Sequence, residues 1–308
     1  MACLSEELTF LSADGKSGVF ARIWRPDHAQ PKFILQICHG MCEYIDRYAE
    51  FAEYIVERGG VVCGNDHLGH GKATRALGHF AEKNGRAYLV RDLYSMTERA
   101  KERWAGAPYF LLGHSMGSFV ARQYTVKYGW ALDGVIYMGT SGKNPLDWAG
   151  IALTNMLGVC KGKKARSRLI DKLAFGSYNK RIEKPMGEDD WLSRDVEVVR
   201  AYGKDPLCKF TFTIGAYHEL FKLLRGVSGK GWAQQVPQRL PILLISGEAD
   251  PVGQYGKGVR QVAGWLRQTG HEDVSLVLYP GARHEVLNET NRAEAYQDVA
   301  AWMEDRMQ

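Results

Sequence analysis

Residues 109–120, YFLLGHSMGSFV, leave this chain little freedom. The apolar run YFLL has strand character, Gly113-His114-Ser115-Met116-Gly117 interrupts it, and a helical apolar pattern opens with Phe119 and Val120. A serine with glycines two residues to either side, set between strand and helix, predicts a turn so tight that its backbone is strained. The strain lifts the hydroxyl off the tip of a sheet and turns the next N–H toward any oxygen bound beside it. In an ordinary glycine-rich turn the same serine would merely cap the helix. The buried strand before it and the helix after it favour the strained elbow.

The rest of the chain supplies the sheet that such an elbow needs. Short apolar runs predict strands over 7–11, 19–24, 33–38, 61–63, 109–112, 135–138, 241–246 and 274–279, the first two joined at Ala13-Asp14-Gly15. Helical spacing predicts helices over 44–58, closed by Gly59-Gly60, and over 88–104, 119–128, 255–268 and 292–307. Strands that alternate with helices imply a mostly parallel central sheet flanked by helices on both faces. The alternation fails between Pro145 and Gln238, where helices follow one another without a convincing strand. That insertion after the sixth strand reads as a helical cap (145–238) on a core made of 1–144 and 239–308.

Composition narrows the function classes. With 45% hydrophobic residues over 308 positions, the chain can bury a large core and is neither disordered nor collagen-like. Forty Lys and Arg against thirty-five Asp and Glu leave +5, spread along the chain, so no nucleic-acid partner is expected. The N-terminal segment lacks a basic stretch followed by an apolar one, and no run approaches the ~20 apolar residues that span a bilayer. These features lead us to expect a cytoplasmic protein with its six cysteines reduced.

A serine needs a base, and the base needs a carboxylate to orient it. In a sheet of this kind they follow in the order Ser, Asp or Glu, His. Three histidines lie downstream of Ser115. His284, in GARHE, follows the last strand and precedes the last helix, whereas His271 falls at the opposite end of that strand and His218 lies in the insertion. Asp250 ends ILLISGEAD, just past a buried strand that Pro251 stops; Glu248 is the alternative, and Asp205 would have to reach in from the cap. The expected catalytic set is therefore Ser115, Asp250 and His284. The backbone N–H groups of Met116 and of Met41, in ICHGM after the third strand, are the expected oxyanion donors. A protonated imidazole cannot act as base, so activity should fall as the pH drops through the ordinary histidine range.

The segments HGMCEYIDRY (39–48), NDHLGHGKA (65–73), GHSMG (113–117), SGEADPV (246–252) and GARHEVLNE (281–289) resemble those of α/β-hydrolases of the monoacylglycerol lipase and lysophospholipase group, which is serine aminopeptidase-like. They span almost the whole chain in the family's order. LAFGSYNKRI (173–182) and WLSRDVEVVRAYGKDPLC (191–208) resemble caps of bacterial members. The resemblance implies the same triad and oxyanion donors, acyl transfer to the serine, and hydrolysis by water without a cofactor.

Rival chemistries find less support. His39, His67, His70 and His79 with Cys38 and Cys42 lack the spacing of a metal site, and neither a phosphate-binding loop nor a dinucleotide fingerprint is present. Neither a metal nor a cofactor is therefore expected. In the cap, residues 146–160 (LDWAGIALTNMLGVC) are largely apolar and adjoin the basic KGKKARSR. They are expected either to pack over an apolar acyl pocket or to rest peripherally on a membrane surface. The expected substrate is a small, lipid-like carboxylic ester, monoacylglycerol or lysophospholipid foremost. The alternatives are a short-chain ester, an aminoacyl amide whose amine Glu183, Glu188 or Glu197 would hold, and a binding role without catalysis.

Overall fold

Five strands of this chain are buried along their whole length, so each must be covered on both faces: β3 (Phe33–Cys38), β4 (Gly60–Asn65), β5 (Tyr109–His114), β6 (Gly134–Met138) and β7 (Ile242–Gly247). In a computed structural model, which describes residues 2–27, 30–72, 76–144 and 147–307, they form the middle of an eight-stranded sheet. Its edges are β1 (Cys3–Leu11) with β2 (Gly18–Pro26) on one side and β8 (Val274–Tyr279) on the other, in the order β1-β2-β4-β3-β5-β6-β7-β8. The β1–β2 and β2–β4 pairs are antiparallel and all others parallel.

Alternate residues of the strands feed two apolar layers. Phe110 and Leu112 face the layer of α1 (Ala49–Glu57) and α10 (Arg292–Glu304), with Phe51, Ile55, Tyr296 and Val299. Tyr109 and Leu111 face the layer of α2 (Gly85–Arg103) and α3 (Met116–Tyr128), with Leu89, Met96, Val120 and Tyr124. After β6 the chain runs through α4 (Asp147–Lys161), α5 (Arg168–Phe175), α6 (Val196–Lys204), α7 (Ile214–Gly226) and the short α8 (Lys230–Ala233) before β7. The only strand-like pairing in that stretch, among the described residues, is a bridge between Arg166 and Thr213. α9 (Lys257–Gln268) then joins β7 to β8. Pro145 and Leu146, where the insertion is expected to begin, lie outside the described residues, as does Ala73.

Two departures from the expected elements matter for the site. The helix expected over 44–58 begins as a 3-10 turn, Ile45–Tyr48, because the buried Asp66 carboxylate captures the Ile45 N–H at 2.8 Å. The strand expected to stop at Leu112 continues through His114, and α3 starts at once with Met116, three residues before the expected start. That leaves a single residue, Ser115, to make the whole turn.

Register places the ends of the strands together. Cys38 pairs with Gly113 and His114 with Met138, so the loop after β3 lies beside the elbow. Gly247 pairs with Tyr279, so the loops after β7 and β8 also emerge side by side.

Candidate active site

Ser115 has φ 51° and ψ −120°, a conformation that costs a non-glycine residue on the order of 1–3 kcal/mol. Its surroundings over-determine it. The Ser115 N–H donates to Met138 O at 2.9 Å, and the Ser118 hydroxyl donates back to Ser115 O at 2.6 Å. A side chain on Gly117 would overlap the carbonyl oxygens of Cys38 and His39, and one on Gly113 would meet Gly117 O at 2.5 Å. The two glycines thus let α3 close against the ends of β3 and β5. The N–H of Met116 lies in the first turn of α3, where no intrahelical acceptor exists and the helix dipole is positive.

Asp250 and His284 come together. The carboxylate is fully buried and accepts from His284 Nδ1 at 3.0 Å, from the Val252 N–H at 2.8 Å and from the Ser246 hydroxyl at 3.1 Å. With Nδ1 as donor, Nε2 is the lone-pair nitrogen, the tautomer that a general base needs. That Nε2 is buried and makes no hydrogen bond among the described residues, so the Ser115 hydroxyl is not hydrogen-bonded to it here. Contacts of this kind often tighten only when substrate is bound. The His284 ring packs 4.8 Å from that of His114, the neighbour of Ser115, and 5.0 Å from that of Trp191 in the inserted segment.

The loop after β3 completes the arrangement. A Cβ on Gly40 would lie 3.0 Å from Ser115 Cβ, so the backbone leading to Met41 passes directly against the serine. His39 Nδ1 donates to Gly40 O at 2.8 Å, and its Nε2 accepts the His67 N–H at 2.9 Å, which makes it a neutral imidazole. Burial lowers the pKa of His39 well below the usual value, with His67 and His70 adding to the effect. Their rings pack tilted and edge-on against that of His39, and no group of three His, Cys, Asp or Glu among the described residues converges as a metal ligand set.

The other residues weighed from sequence lie elsewhere. Glu248 is exposed, whereas Asp250 is buried. Asp205 accepts the Tyr44 hydroxyl at 2.7 Å, and His218 bonds Thr154 on α4. His271 is buried between Leu266 O and Val236 O. In the insertion Glu183 and Glu188 are exposed, and Glu197 pairs with Arg200 on the surface.

Sequence reasoning missed a ring of groups behind the site: Glu43, Arg47, His114 and Glu285. Each lies inside a quoted motif, and the spacing of four between Glu43 and Arg47 was the available signal. It also missed Trp191, whose backbone O accepts the His284 N–H at 3.3 Å. One cavity, of about 650 Å³, is lined by Asp14, Lys16, His70, His79, Phe80 and Lys164. Neither it nor a second cavity of about 240 Å³ is lined by Ser115, Asp250 or His284.

Residues 29–291 match the family described as serine aminopeptidase, S33. A monoacylglycerol lipase of Mycolicibacterium smegmatis is 28% identical over 291 residues, covering 91% of each chain. The human monoglyceride lipase is 25% identical, covering 96% of this chain and 89% of its own. Among solved structures, a highly thermostable carboxyl esterase from Bacillus coagulans in complex with glycerol superposes with a TM-score of 0.93 at 34% identity, over 99% of both chains.

Proposed function

The chain belongs to the serine aminopeptidase S33 family and has the α/β-hydrolase fold, and from that premise we propose that it is a serine hydrolase of carboxylic esters with an apolar acyl chain. Its relatives are named lipases and esterases, which supports ester hydrolysis. The observation that carries the serine mechanism is the buried Asp250–His284 hydrogen bond beside a strained Ser115.

In the proposed reaction, His284 Nε2 takes the proton of the Ser115 hydroxyl as Oγ attacks the ester carbonyl. Asp250 holds the tautomer and offsets the charge of the imidazolium. The N–H groups of Met116 and Met41 receive the oxyanion, and loss of one such donor typically costs about 10²–10³ in kcat. The imidazolium then protonates the leaving alcohol, and water repeats the cycle on the acyl-enzyme. These steps use no metal or cofactor.

The substrate class rests on chemistry over the site. Phe175, Tyr178 and Trp191 form an aromatic cluster that reaches His284 through Trp191, a wall suited to an acyl chain. Monoacylglycerols and lysophospholipids are the proposed natural esters. An aminopeptidase would need a carboxylate beside the site to hold the substrate amine, and Glu183, Glu188 and Glu197 are all exposed. We further propose that residues 145–238 act as a cap on the core of 1–144 and 239–308. That cap displays Trp148, Met156, Val159, Leu169 and Leu173 beside Lys161, Arg168 and Lys172, a surface suited to peripheral contact with an anionic lipid layer.

The test is a hydrolysis panel on wild type and Ser115→Ala: acyl esters from short to long, one monoacylglycerol, one lysophospholipid and one aminoacyl amide. Turnover led by medium or long acyl esters, absent in the variant, supports the proposal. Turnover of the amide alone would replace the substrate class. Silence on all of them with folded protein would favour a binding role.

A further inference from the structure

Ser115, His284 and the Met41 N–H belong to three separate loops, after β5, β8 and β3. One buried carboxylate touches the neighbour of two of them and reaches the third through an arginine. Glu43 is 3% exposed. Its Oε1 accepts the Gly40 N–H in a short hydrogen bond, His114 Nδ1 at 2.7 Å and the Tyr48 hydroxyl at 3.1 Å. Its Oε2 faces Arg47 Nη1 at 3.2 Å. Arg47 then forks onto Glu285, Nη1 to Oε1 and Nη2 to Oε2, both at 2.8 Å, and Asn288 Nδ2 donates to the same carboxylate at 2.9 Å.

The three anchors are Gly40, His114 and Glu285. Each is the immediate chain neighbour of a group in the proposed mechanism: Met41, Ser115 and His284. We propose that Glu43, with Arg47, is a positioning residue that sets the oxyanion loop, the elbow and the base loop relative to one another. The inference rests on the serine hydrolase reading above and adds a residue to it.

Geometry explains why these anchors matter for chemistry. Glu43 consumes the Gly40 N–H, and His39 Nδ1 holds the Gly40 carbonyl at 2.8 Å. In a trans peptide the Met41 N–H points opposite that carbonyl, so these two bonds fix its aim beside Ser115. The hydrogen bond to Glu43 also fixes the plane of the His114 ring, on which His284 packs at 4.8 Å. The bidentate Arg47–Glu285 pair fixes the base loop in two directions at once. The charges hold one another in place. Burial pushes the Glu43 carboxyl upward, but His114 and Arg47 outweigh it and keep it well below the usual carboxylate range. Burial likewise lowers His114, and Glu43 reverses that into a raised value. A misplacement of about 1 Å in a catalytic group can cost on the order of 10² in rate.

The experiment compares wild type, Glu43→Gln, Arg47→Met and Asp92→Asn. Asp92 is a control, a buried carboxylate on α2 that bonds Ser12 and Ala13 away from the site. Each protein is assayed for kcat and KM on a soluble ester, for the rate of fluorophosphonate labelling of Ser115, and for its urea midpoint. We expect Glu43→Gln to lose roughly 10- to 100-fold in kcat and in labelling rate, with KM within about threefold. Asp92→Asn should lose stability but keep kcat. Arg47→Met, which removes the link from Glu43 to the base loop but leaves Gly40 and His114 on the Glu43 carboxylate, should show a smaller kcat loss of the same kind. It decides the matter if Glu43→Gln does not fold: an unchanged kcat in Arg47→Met then overturns the proposal. So does a folded Glu43→Gln within threefold of wild type. A wild type that neither labels nor hydrolyses any ester overturns the serine hydrolase reading, and this proposal with it.

Discussion

Asp250 and Glu248 differ by two positions in sequence and completely in circumstance. Asp250 is sealed from water with three donors on its carboxylate, while Glu248 is exposed at the start of the same loop. A buried carboxylate can orient an imidazole because its geometry is fixed and its charge is little screened. Asp250→Asn should therefore reduce kcat by about 10³–10⁴ while Glu248→Gln leaves it near wild type, both read from initial rates on the best ester of the panel. Loss of activity on Glu248→Gln alone would transfer the role to Glu248. Glu43 shows the same principle turned toward positioning, since its carboxylate holds Gly40 and His114, the chain neighbours of Met41 and Ser115.

At the scale of elements, the elbow and α4 follow opposite logics. The elbow is an approach of backbones so close that only glycine fits at 113 and 117, and its serine is held strained by the sheet beneath it. α4 packs on α7 with one side and leaves Trp148, Met156 and Val159 exposed on the other, with Val159 at 83%. Its C-terminal residue Lys161 and the turn that follows, with Lys163, Lys164 and Arg166, add positive charge, and Lys164 pairs with Glu82. Apolar side chains flanked by lysines suit the headgroup boundary of a lipid layer. Vesicles containing anionic lipid should therefore co-sediment with wild type and lose most of that binding with Trp148→Ser/Val159→Ser. Equal sedimentation of both proteins would return α4 to an ordinary surface helix.

For the molecule as a whole, the buried histidines make stability depend on acid. Burial lowers His67 to about 4, and lowers His70, with help from His67, to about 3. Both values lie below the unfolded pKa, so the unfolded chain takes up protons first. Their contribution is fully present above about pH 6.5 and is lost as the pH falls toward the folded values, at up to about 1.4 kcal/mol per unit for each. Asp66 and Asp92, raised to about 6 by burial, act in the opposite direction over part of that range. A difference between variants removes them. His70 sits among Phe80, Phe210 and Phe212, so His70→Phe should fit. Urea unfolding at pH 7 and pH 5 should show wild type losing about 2 kcal/mol more than His70→Phe. Equal losses would mean that His70 is not kept neutral by the fold.

Much of this protein is legible in its sequence, because the periodicity of buried strands and amphipathic helices is local. The eight strands, the helical insertion between the sixth and seventh, and the GHSMG turn follow from side-chain patterns that each segment carries by itself. The designation of Ser115, Asp250 and His284 came from the same source, since chain order and strand ends are linear facts. Other features depend on distance in space and had no linear signature. Strand β5 runs on to His114 because its ladder partners, Cys38 and Met138 among their strands, come from elsewhere in the chain. Asp66 reshapes the start of the first helical segment from 21 residues away. Glu43 and Glu285 are 242 positions apart and share one arginine only because parallel pairing brings the loops after β3, β5 and β8 to one edge of the sheet. The candidate reactive groups were thus written locally, whereas their alignment was decided by tertiary packing, which alone can bury several charges against one another.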